Sequence, residues 1–330
     1  MSLHDTEHGL SEPSMTNIKH VKREKRNRTN LVKPHAFQLL YYGADVIYKP
    51  PYTAPFPSEY YRSDGQLWMC ARCLRYFSCP VQFRNHALKC KRVYGHEVYR
   101  EQVVCDDTNT NTDKKSILSI MRVDGHESKR FCQALCLLAK LFLDHKTLYY
   151  DTDGFLFYVL VKFTHVIGGD QNIRYQQEIV GYFSREKTSP SGYNLSCILV
   201  MPVHQGAGFG SLLIDYSYTL QSGSPEKPLS DSGLIAYVRF WTHKVFVNAQ
   251  VFTKHSRDLA RAVKEVSVKT GITRNDLMAC LEHLNVVYIG DDCVSIDCVR
   301  LAQLASEYKL TRKPLRLINP NYLLENVDQP

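Results

Sequence analysis

The sequence predicts an α+β fold in three parts, and three observations support this prediction. Strand-length apolar segments follow one another between residues 155 and 200, and a glycine-rich turn leads from the last of them into an amphipathic helix. Consecutive strands with short connections favour an antiparallel or mixed sheet with a helix packed on it. A Cys/His group precedes this core, and a pattern of helix, turn, helix and hairpin follows it.

The composition restricts the classes of protein to which this chain can belong. Its 330 residues are enough for two or three domains with buried cores. The longest apolar runs, such as Phe155–Val161, are too short to cross a bilayer, so we expect no membrane partner. The polar N-terminus has no secretory signal, and eleven cysteines, an odd number, suit a reducing compartment. The net charge of +8 permits an anionic partner without identifying one.

Residues 1–34 are predicted to form a disordered basic tail, because they show no hydrophobic periodicity. A dense group of cations, with one acid at Glu24, occupies its second half: Lys19, Lys22, Arg23, Lys25, Arg26, Arg28 and Lys33. Such a run is also typical of nuclear import signals and of contacts with nucleic acid. Both descriptions can hold at once, so a DNA contact through this tail is possible.

Residues 35–125 are predicted to form an N-terminal region that contains a zinc finger at 70–90. The ligands have the spacing Cys-x2-Cys and, twelve residues later, His-x3-Cys: Cys70, Cys73, His86 and Cys90. These four side chains fill a tetrahedral zinc shell and leave no open position for catalysis. Cys79 lies between the two pairs and fits no ligand position. The finger is therefore predicted to be structural.

Residues 126–252 are predicted to be the central core. Ser128 is placed to cap a helix whose apolar side chains recur at helical spacing as far as Phe142, and Ser230 or Ser232 is placed to cap a later helix. Three strands are predicted in the part of the core that precedes the glycine-rich turn. They are Leu148–Tyr150, Phe155–Phe163 and Glu178–Ser184.

Three polar or proline-rich segments are predicted to be irregular. Four prolines among tyrosines favour extended chain at 48–62. Aspartate and asparagine residues favour an exposed loop at 101–116, and a Gly-Gly-Asp sequence favours another at 165–177.

Residues 253–330 are predicted to form a C-terminal helix-turn-helix-like domain. A break at Gly271 separates two helices, and a hairpin follows them: Leu259–Val268, Asp276–Leu284, Val286–Ile289 and Val294–Ile296. This order resembles a winged helix-turn-helix. Such modules bind DNA or pack against an enzyme core, and Asp276 and Glu282 on the second helix disfavour DNA.

The glycine-rich turn has the layout in which backbone N–H groups at a helix start hold a phosphate. No Gly-x4-Gly-Lys-Ser/Thr string occurs, and Ser211 stands where a dinucleotide fingerprint needs its third glycine. The remaining pattern is Gln-x-x-Gly-x-Gly, formed by Gln205, Gly206, Ala207, Gly208, Phe209 and Gly210. It resembles the pyrophosphate loop of the acetyl-CoA-dependent N-acetyltransferase (GNAT-like) fold.

Three side chains are candidates for chemistry, although each also has an ordinary structural explanation. Cys197, in the apolar strand before the turn, is by base rate a buried small hydrophobe. Glu226 lies in a Ser-Pro-Glu-Lys-Pro turn, where a solvated acid is common. Lys146 follows a helix end, where a cation complements the helix dipole. None of the three identifies a reaction by itself.

Four blocks of sequence are more specific when they are taken together. The Cys-Cys-His-Cys finger, Phe142–Asp151, Gly192–Leu199 with the glycine loop, and Gly223–Asp231 occur in the order of the signature blocks of the MYST histone acetyltransferases. The sequence resembles this family over about residues 35–320, which implies that the core at 126–252 binds acetyl-CoA.

The short chain, with no chromodomain-like region before the finger, is similar to the small fungal silencing-associated members of this family. This similarity implies a nuclear enzyme that acts on lysine sixteen of histone H4. It also implies non-catalytic partner subunits and a role in silencing and transcription regulation.

The resemblance also implies a role for each candidate residue. Glu226 matches the general base that deprotonates the substrate lysine, Cys197 matches the active-site cysteine, and Lys146 matches the lysine that the family acetylates on itself. The matching cofactor contacts are Ile198, Leu199, Val200, Gln205, Gly206, Ala207, Gly208, Phe209, Gly210, Ser211 and Ser230. Gly206 departs from the family, which usually has a basic residue there, so a lower affinity for acetyl-CoA is expected.

The chemistry agrees with these residue types. A lysine amine with a pKa near ~10.4 is protonated at neutral pH, and a carboxylate whose pKa is raised toward ~6–7 can remove the proton. Backbone N–H groups of the strand at 197–200 could stabilise the oxyanion that forms on the thioester. We expect direct transfer of the acetyl group, with Cys197 beside the thioester rather than acting as the nucleophile.

Two alternatives remain open at this point. One is a catalytically weak adaptor that binds chromatin or DNA through the finger, the winged helix and the basic tail. Glu226 and the intact glycine loop argue against it. The other is a small-molecule N-acetyltransferase, and the finger and the basic tail argue against that.

Overall fold

A computed structural model describes most of the chain between residues 36 and 324. The described ranges are 36–41, 44–60, 66–91, 94–105, 114–144, 146–147, 149–167, 173–289 and 294–324. The predicted basic tail at 1–34 lies outside these ranges, and all of them belong to the unit that comprises Val32–Pro330.

A small four-stranded sheet and a helix form the first part of the fold. The strands are β1 (Ala36–Tyr41), β2 (Ala44–Tyr48), β3 (Gln66–Cys70) and β4 (Tyr76–Phe77), in the order β2-β1-β3-β4. Strands β1 and β3 run parallel, and the other pairs are antiparallel. Helix α1 (Pro80–Lys89) follows. Pro80 occupies its first position, where the N–H that proline lacks would have no intrahelical partner.

Five antiparallel strands form the central sheet. In chain order, the elements of this part are β5 (His96–Cys105), β6 (Lys114–Asp124), α2 (Lys129–Lys140), β7 (Phe155–Ile167), β8 (Ile173–Glu186), β9 (Tyr193–Leu195) and β10 (Cys197–Val200). The sheet has the order β10-β8-β7-β6-β5, and every neighbouring pair is antiparallel. Strand β10 therefore forms one edge of this sheet.

Helices cover both faces of the central sheet. After β10, a 3₁₀ turn (Pro202–His204) leads to α3 (Phe209–Leu220). Along β7, Phe157, Val159 and Val161 pack into the core that contains α2, whereas Tyr158 and Leu160 pack into the core that contains α3. Because a strand alternates its side chains between two buried faces, β7 is apolar at every position of its central part.

The C-terminal half is mainly helical. Its elements are β11 (Ser224–Pro225), α4 (Asp231–Val247), α5 (Ala249–Lys254), α6 (Leu259–Thr270), α7 (Arg274–His283), β12 (Val287–Ile289), β13 (Val294–Ile296) and α8 (Cys298–Thr311). Gly271 ends α6 with a φ of 74°, as the predicted break requires, and β12 pairs with β13 as an antiparallel hairpin. No helix in the described ranges is long and apolar enough to cross a bilayer.

Several local predictions were wrong. Tyr149 and Tyr150 form bends rather than a strand, and Leu148 lies outside the described residues. The predicted loops at 101–116 and 165–177 are shorter than expected, because β5 and β6 pair as far as Cys105 and Lys114, and β7 and β8 pair as far as Ile167 and Ile173. Cross-strand pairing thus keeps polar sequence in strands that local composition assigns to loops.

Other elements were refined or were absent from the sequence prediction. The extended segment at 48–62 contains a 3₁₀ turn at Ser58–Tyr60, and strands β1, β2, β5 and β6 and helix α8 were not predicted. Ser128 stands at the cap position of α2, but its side chain makes no capping hydrogen bond. Ser230, rather than Ser232, caps α4 by accepting a hydrogen bond from the Gly233 N–H.

The close approach of β9 and β11 gives a prediction for Gly223. A Cβ atom at Gly223 would lie 2.5 Å from the Gly192 carbonyl oxygen, whereas a Cβ atom at Gly154 would meet no atom within 4 Å. We expect Gly223→Ala to lower the free energy of unfolding by about 1–3 kcal/mol, the usual cost of overpacking. Gly154→Ala is the matched control and should unfold like the wild type. Equal midpoints in urea for the two variants would contradict this packing.

Candidate functional site

Four side chains near α1 form a metal-binding group. They are Cys70, Cys73, His86 and Cys90. Each contributes one ligand atom, and these atoms all lie within 4.8 Å of one another. Three sulfurs and one imidazole nitrogen at such separations are a ligand set that zinc prefers in structural sites. Cys79, at the N-terminus of α1, is outside the group, as its sequence position predicted.

Backbone hydrogen bonds hold both ligand pairs of this zinc group in position. The Leu74 N–H donates to the Cys70 carbonyl at 2.8 Å, and the Cys70 N–H donates to the Arg75 carbonyl at 2.9 Å, so a tight turn carries the first thiol pair. The Cys90 N–H donates to the His86 carbonyl at 2.9 Å, which fixes the fourth ligand at the C-cap of α1. A hydrogen bond between the two thiols lowers the pKa of Cys70 to about 5 and raises the pKa of Cys73, so this pair favours one thiolate, at Cys70.

Glu226 is positioned by a short parallel strand pair. Strands β9 and β11 pair with Pro225 opposite Leu195, and the Glu226 N–H donates to the Leu195 carbonyl at 2.8 Å. Because only Ser196 separates β9 from β10, this pairing places Glu226 beside the segment that contains Cys197. The Ser196 N–H in turn donates to the Ser184 carbonyl of β8 at 2.8 Å, which ties the segment to the central sheet.

The surroundings of the Glu226 carboxyl raise its pKa. Partial burial is the largest cause, and the negative charge of Glu186, at the end of β8, adds to it. The Lys146 ammonium and a hydrogen bond with Ser196 oppose this effect without cancelling it. Glu226 remains open to solvent, so a ligand can reach it.

Cys197 and Lys146 lie together on the α2 side of the sheet. The Tyr182 hydroxyl is 3.5 Å from the Cys197 Sγ, and the Lys146 ammonium hydrogen-bonds with the thiols of Cys197 and Cys136. Burial lowers the pKa of Lys146, but the two thiols outweigh burial, and the net shift of this pKa is upward. Burial raises the pKa of the Cys136 thiol to about 11, so that thiol stays protonated at neutral pH.

The glycine loop joins the end of β10 to the start of α3. The Gln205 side-chain amide donates to the Val200 carbonyl at 3.0 Å, which closes the loop onto the strand. Gly206 and Gly208 have φ values of 79° and 84°, a conformation that favours glycine. The first intrahelical hydrogen bond runs from the Leu212 N–H to the Gly208 carbonyl, so earlier N–H groups of α3 have no acceptor within the helix.

The other candidates for binding the cofactor lie on the two faces of β10 and at the start of α4. Ile198 and Val200 pack toward the core that contains α3, and a Cβ atom at Gly210 would lie 4.0 Å from Val200. Leu199 is buried in the opposite core, so a ligand along the outer edge of β10 would meet its backbone rather than its side chain. The Ser230 oxygen accepts the capping bond of α4, which leaves its hydroxyl hydrogen free to donate to a ligand.

Sequence reasoning brought the main candidates together but missed their neighbours. Glu226, Cys197 and Lys146 converge although they are far apart in the chain, whereas no role was predicted for Ser196 or Glu186. No role was predicted for Lys227 either, although its ammonium contacts the buried Asp276 carboxylate of α7 at 2.9 Å. The sequence signals for these residues are weak, because Ser196 is marked only by its place before Cys197, and Asp276 only by its place on the second helix of the predicted helix-turn-helix.

The arrangement can perform proton abstraction next to a bound anion. A carboxylate with a raised pKa accepts a proton near neutral pH, and uncapped N–H groups at a helix start attract phosphate. The fold and site together define a mixed α/β protein with an antiparallel sheet, a structural zinc finger and a candidate anion-binding loop beside a candidate base.

Two family models match this chain. The model of the MOZ/SAS family matches residues 94–323, and the model of the MYST family zinc finger domain matches residues 41–90, which include all four zinc ligands. The chain therefore belongs to the MOZ/SAS family, also called MYST. The resemblance inferred from the sequence blocks is confirmed, as is the structural zinc site.

Proteins named as histone acetyltransferases are similar to this chain. KAT6B of Mus musculus is 41% identical over 243 residues, which are 72% of this chain and 12% of that protein. The Tip60 homolog of Caenorhabditis elegans is 35% identical over 94% of this chain and 61% of its own length. The protein mst2 of Schizosaccharomyces pombe is 38% identical over 78% of this chain and 58% of its own length. This chain thus spans only part of each of these relatives.

The zinc group gives a second prediction. Replacing one thiolate ligand by Cys73→Ser is expected to reduce bound zinc from about one ion per chain to a small fraction of that, and to lower the melting temperature, because metal binding and folding are coupled. Cys79→Ser changes a thiol outside the group and serves as the control. Metal analysis of the two purified variants checks this, and full zinc content in Cys73→Ser would remove Cys73 from the ligand set.

Proposed function

We propose that this chain is an acetyl-CoA-dependent histone lysine acetyltransferase in which Glu226 acts as the general base. The observation that carries the proposal is the Glu226 carboxyl, which has a raised pKa and lies beside the edge strand that leads into the glycine loop. Family membership supports the reaction class, because similar proteins are named as histone acetyltransferases.

Acetyl-CoA is proposed to bind along β10 and the start of α3. The N–H groups of the loop from Gln205 to Ser211 would hold the pyrophosphate, supported by the positive end of the helix dipole. Ile198, Leu199 and Val200 would line the cofactor, and the Ser230 hydroxyl would add a donor. The exposed Gly206 brings no positive charge, so the backbone carries this interaction.

The proposed reaction transfers the acetyl group directly. Glu226 removes a proton from the substrate ammonium, the amine attacks the thioester carbonyl, and the thiolate of coenzyme A leaves and is protonated. Strand β10 is a sheet edge, so its outward N–H groups can stabilise the oxyanion of the tetrahedral intermediate. Tyr182 and Lys146 hold the Cys197 thiol on the α2 side of the sheet, and in the proposed mechanism it lies beside the thioester without carrying the acetyl group.

Lys146 is proposed to be acetylated by the enzyme itself. Its ammonium acts electrostatically on Glu226 and hydrogen-bonds with Cys197, so it lies within reach of the reacting groups. Acetylation would remove the positive charge that lowers the pKa of Glu226. The base would therefore become easier to protonate, and its pKa would rise.

The substrate and the cellular setting are proposed from the family. We infer that the preferred target is lysine sixteen of histone H4, within a nuclear complex that acts in silencing and transcription regulation. The similarity to the fungal protein mst2, which is named as a histone acetyltransferase, supports the histone substrate. The basic tail at 1–34 would add a contact with nucleosomal DNA.

The domain organisation is also a proposal. The N-terminal region spans 35–125, the catalytic core spans 126–252, and 253–330 form a winged helix-turn-helix-like domain. The order α6, α7, β12, β13 supports the last of these. The ion pair between Lys227 and Asp276 links α7 to the catalytic turn, which supports a packing role over DNA binding.

The role of Glu226 gives the third prediction. We expect Glu226→Gln to lower kcat by about 10²–10⁴-fold, the usual contribution of a general base, while the Kd for acetyl-CoA stays at the wild-type value. Glu282→Gln, an exposed change on α7, is the control. Cys197→Ala is expected to lose less activity than Glu226→Gln. Wild-type turnover by Glu226→Gln across the pH range would refute the assignment of the base, and an acetyl-thioester trapped on Cys197 would refute direct transfer.

The neighbours of Glu226 give the fourth prediction, which concerns pH. The base works when it is deprotonated, so kcat/KM should rise with pH through the pKa of Glu226. Glu186→Gln removes a negative neighbour and should shift this acid limb to lower pH. Ser196→Ala removes a hydrogen bond that stabilises the carboxylate and should shift it to higher pH. Shifts in the same direction for both variants would contradict this assignment.

A further inference from the structure

The C-terminal segment, residues 312–318, lies directly against the glycine loop. A Cβ atom at Gly208 would be 2.9 Å from the Cβ of Arg316, and the Arg316 backbone nitrogen is 3.7 Å from the same position. Only a residue without a side chain allows this approach. Gly208 thus serves both the left-handed turn and the contact with a distant part of the chain.

The Arg316 guanidinium links the end of the loop to strand β5. Its carbon lies 5.2 Å from the centroid of the Phe209 ring, within the range of a cation–π contact, and its Nη2 lies 3.2 Å from the Glu101 carboxylate on β5. Phe209 is the first residue of α3, and the His204 ring, just before the loop, contacts the Phe209 ring edge-on with the centroids 6.3 Å apart. The residue just before the loop, His204, is therefore in contact with the residue at its end, Phe209.

Arg316 itself is fixed, because the C-terminal segment is anchored on both sides of it. Before it, the Lys313 carbonyl accepts a hydrogen bond from Arg239 of α4 at 3.0 Å. After it, the Ile318 N–H donates to the Asp215 carboxylate of α3 at 3.0 Å, and Lys244 pairs with Asp215 at 2.8 Å. These bonds tie the segment to α3, which starts at the loop, and to α4.

The composition of the loop explains why such support matters. Gly206 and Gly208 both occupy the left-handed region, and glycine loses more conformational freedom on ordering than other residues do. A free loop would therefore lose this freedom when a ligand binds. A loop already held in place binds more tightly, because that entropy was lost on folding.

We propose that Arg316, together with Glu101, is a positioning residue that preorganises the glycine loop for the phosphates of acetyl-CoA. The proposal rests on the cofactor role proposed above for the loop. Arg316 touches the loop rather than the reacting atoms, so it sets the affinity for the cofactor and leaves the chemical step unchanged.

The test compares Arg316→Gln with Lys309→Gln, which removes an equal charge from an exposed position on α8. Calorimetry measures the Kd for acetyl-CoA, and steady-state assays with a histone peptide measure kcat and both KM values. We expect Arg316→Gln to weaken acetyl-CoA binding about three- to tenfold, in keeping with a partly exposed ion pair and one cation–π contact. The kcat at saturating acetyl-CoA and the KM for the peptide should not change, and Lys309→Gln should match the wild type.

Exchanging the charges of Glu101 and Arg316 distinguishes three explanations for weaker binding: loss of support for the loop, loss of a direct contact between Arg316 and the phosphates, and general destabilisation of the fold. The double variant Glu101→Arg, Arg316→Glu can restore the ion pair, so it should bind acetyl-CoA more tightly than Arg316→Glu alone. No recovery in the double variant would overturn the proposal, as would a wild-type Kd in Arg316→Gln or an equal loss in kcat and the peptide KM. If the wild-type chain did not bind acetyl-CoA, that result alone would refute the proposed function. Failure of the proposed function is thus distinguished from failure of the role proposed for Arg316.

Discussion

The hydrogen bond from the Glu226 N–H to the Leu195 carbonyl is the constraint on which the candidate site depends. It fixes a loop acid against the segment between β9 and β10, and through that segment against the central sheet. Gly223 permits the close approach of the two segments that contain β9 and β11. Without this contact Glu226 would be an ordinary surface acid, because partial burial is the largest cause of its raised pKa. The position of one backbone amide thus decides whether the carboxyl can act as a base.

The opposing effects on Glu226 indicate how the site is balanced. Glu186 and partial burial favour the protonated carboxyl, whereas Lys146 and Ser196 favour the carboxylate. None of these groups acts alone, since Lys146 also interacts with the thiols of Cys197 and Cys136. A change in the charge of Lys146 would therefore reach both the proposed base and Cys197. The site is a small electrostatic network rather than a set of independent residues.

The sequence could predict those features that depend on local spacing. The zinc ligands, the glycine loop and the break at Gly271 follow from the order of a few residues, and the structure places each of them as predicted. Features that depend on partners distant in the chain could not be predicted in this way. Strands β5 and β6 are held by pairing over polar sequence, and the contact of Arg316 with Gly208 joins positions more than a hundred residues apart. Composition alone carries no signal for either.

The ion pair between Lys227 and Asp276 has a consequence for how the molecule can be divided. Asp276 is almost completely buried in α7, where Thr273 also donates a hydrogen bond to it, and its cationic partner belongs to the turn that carries Glu226. The Gly223 N–H likewise donates to the Gly271 carbonyl. Separation of the C-terminal helices would break these links and would leave the buried Asp276 carboxylate without its cationic partner. The smallest part of this chain that keeps the candidate site intact therefore includes α6 and α7, and the turn that carries Glu226 cannot be moved to another scaffold without them.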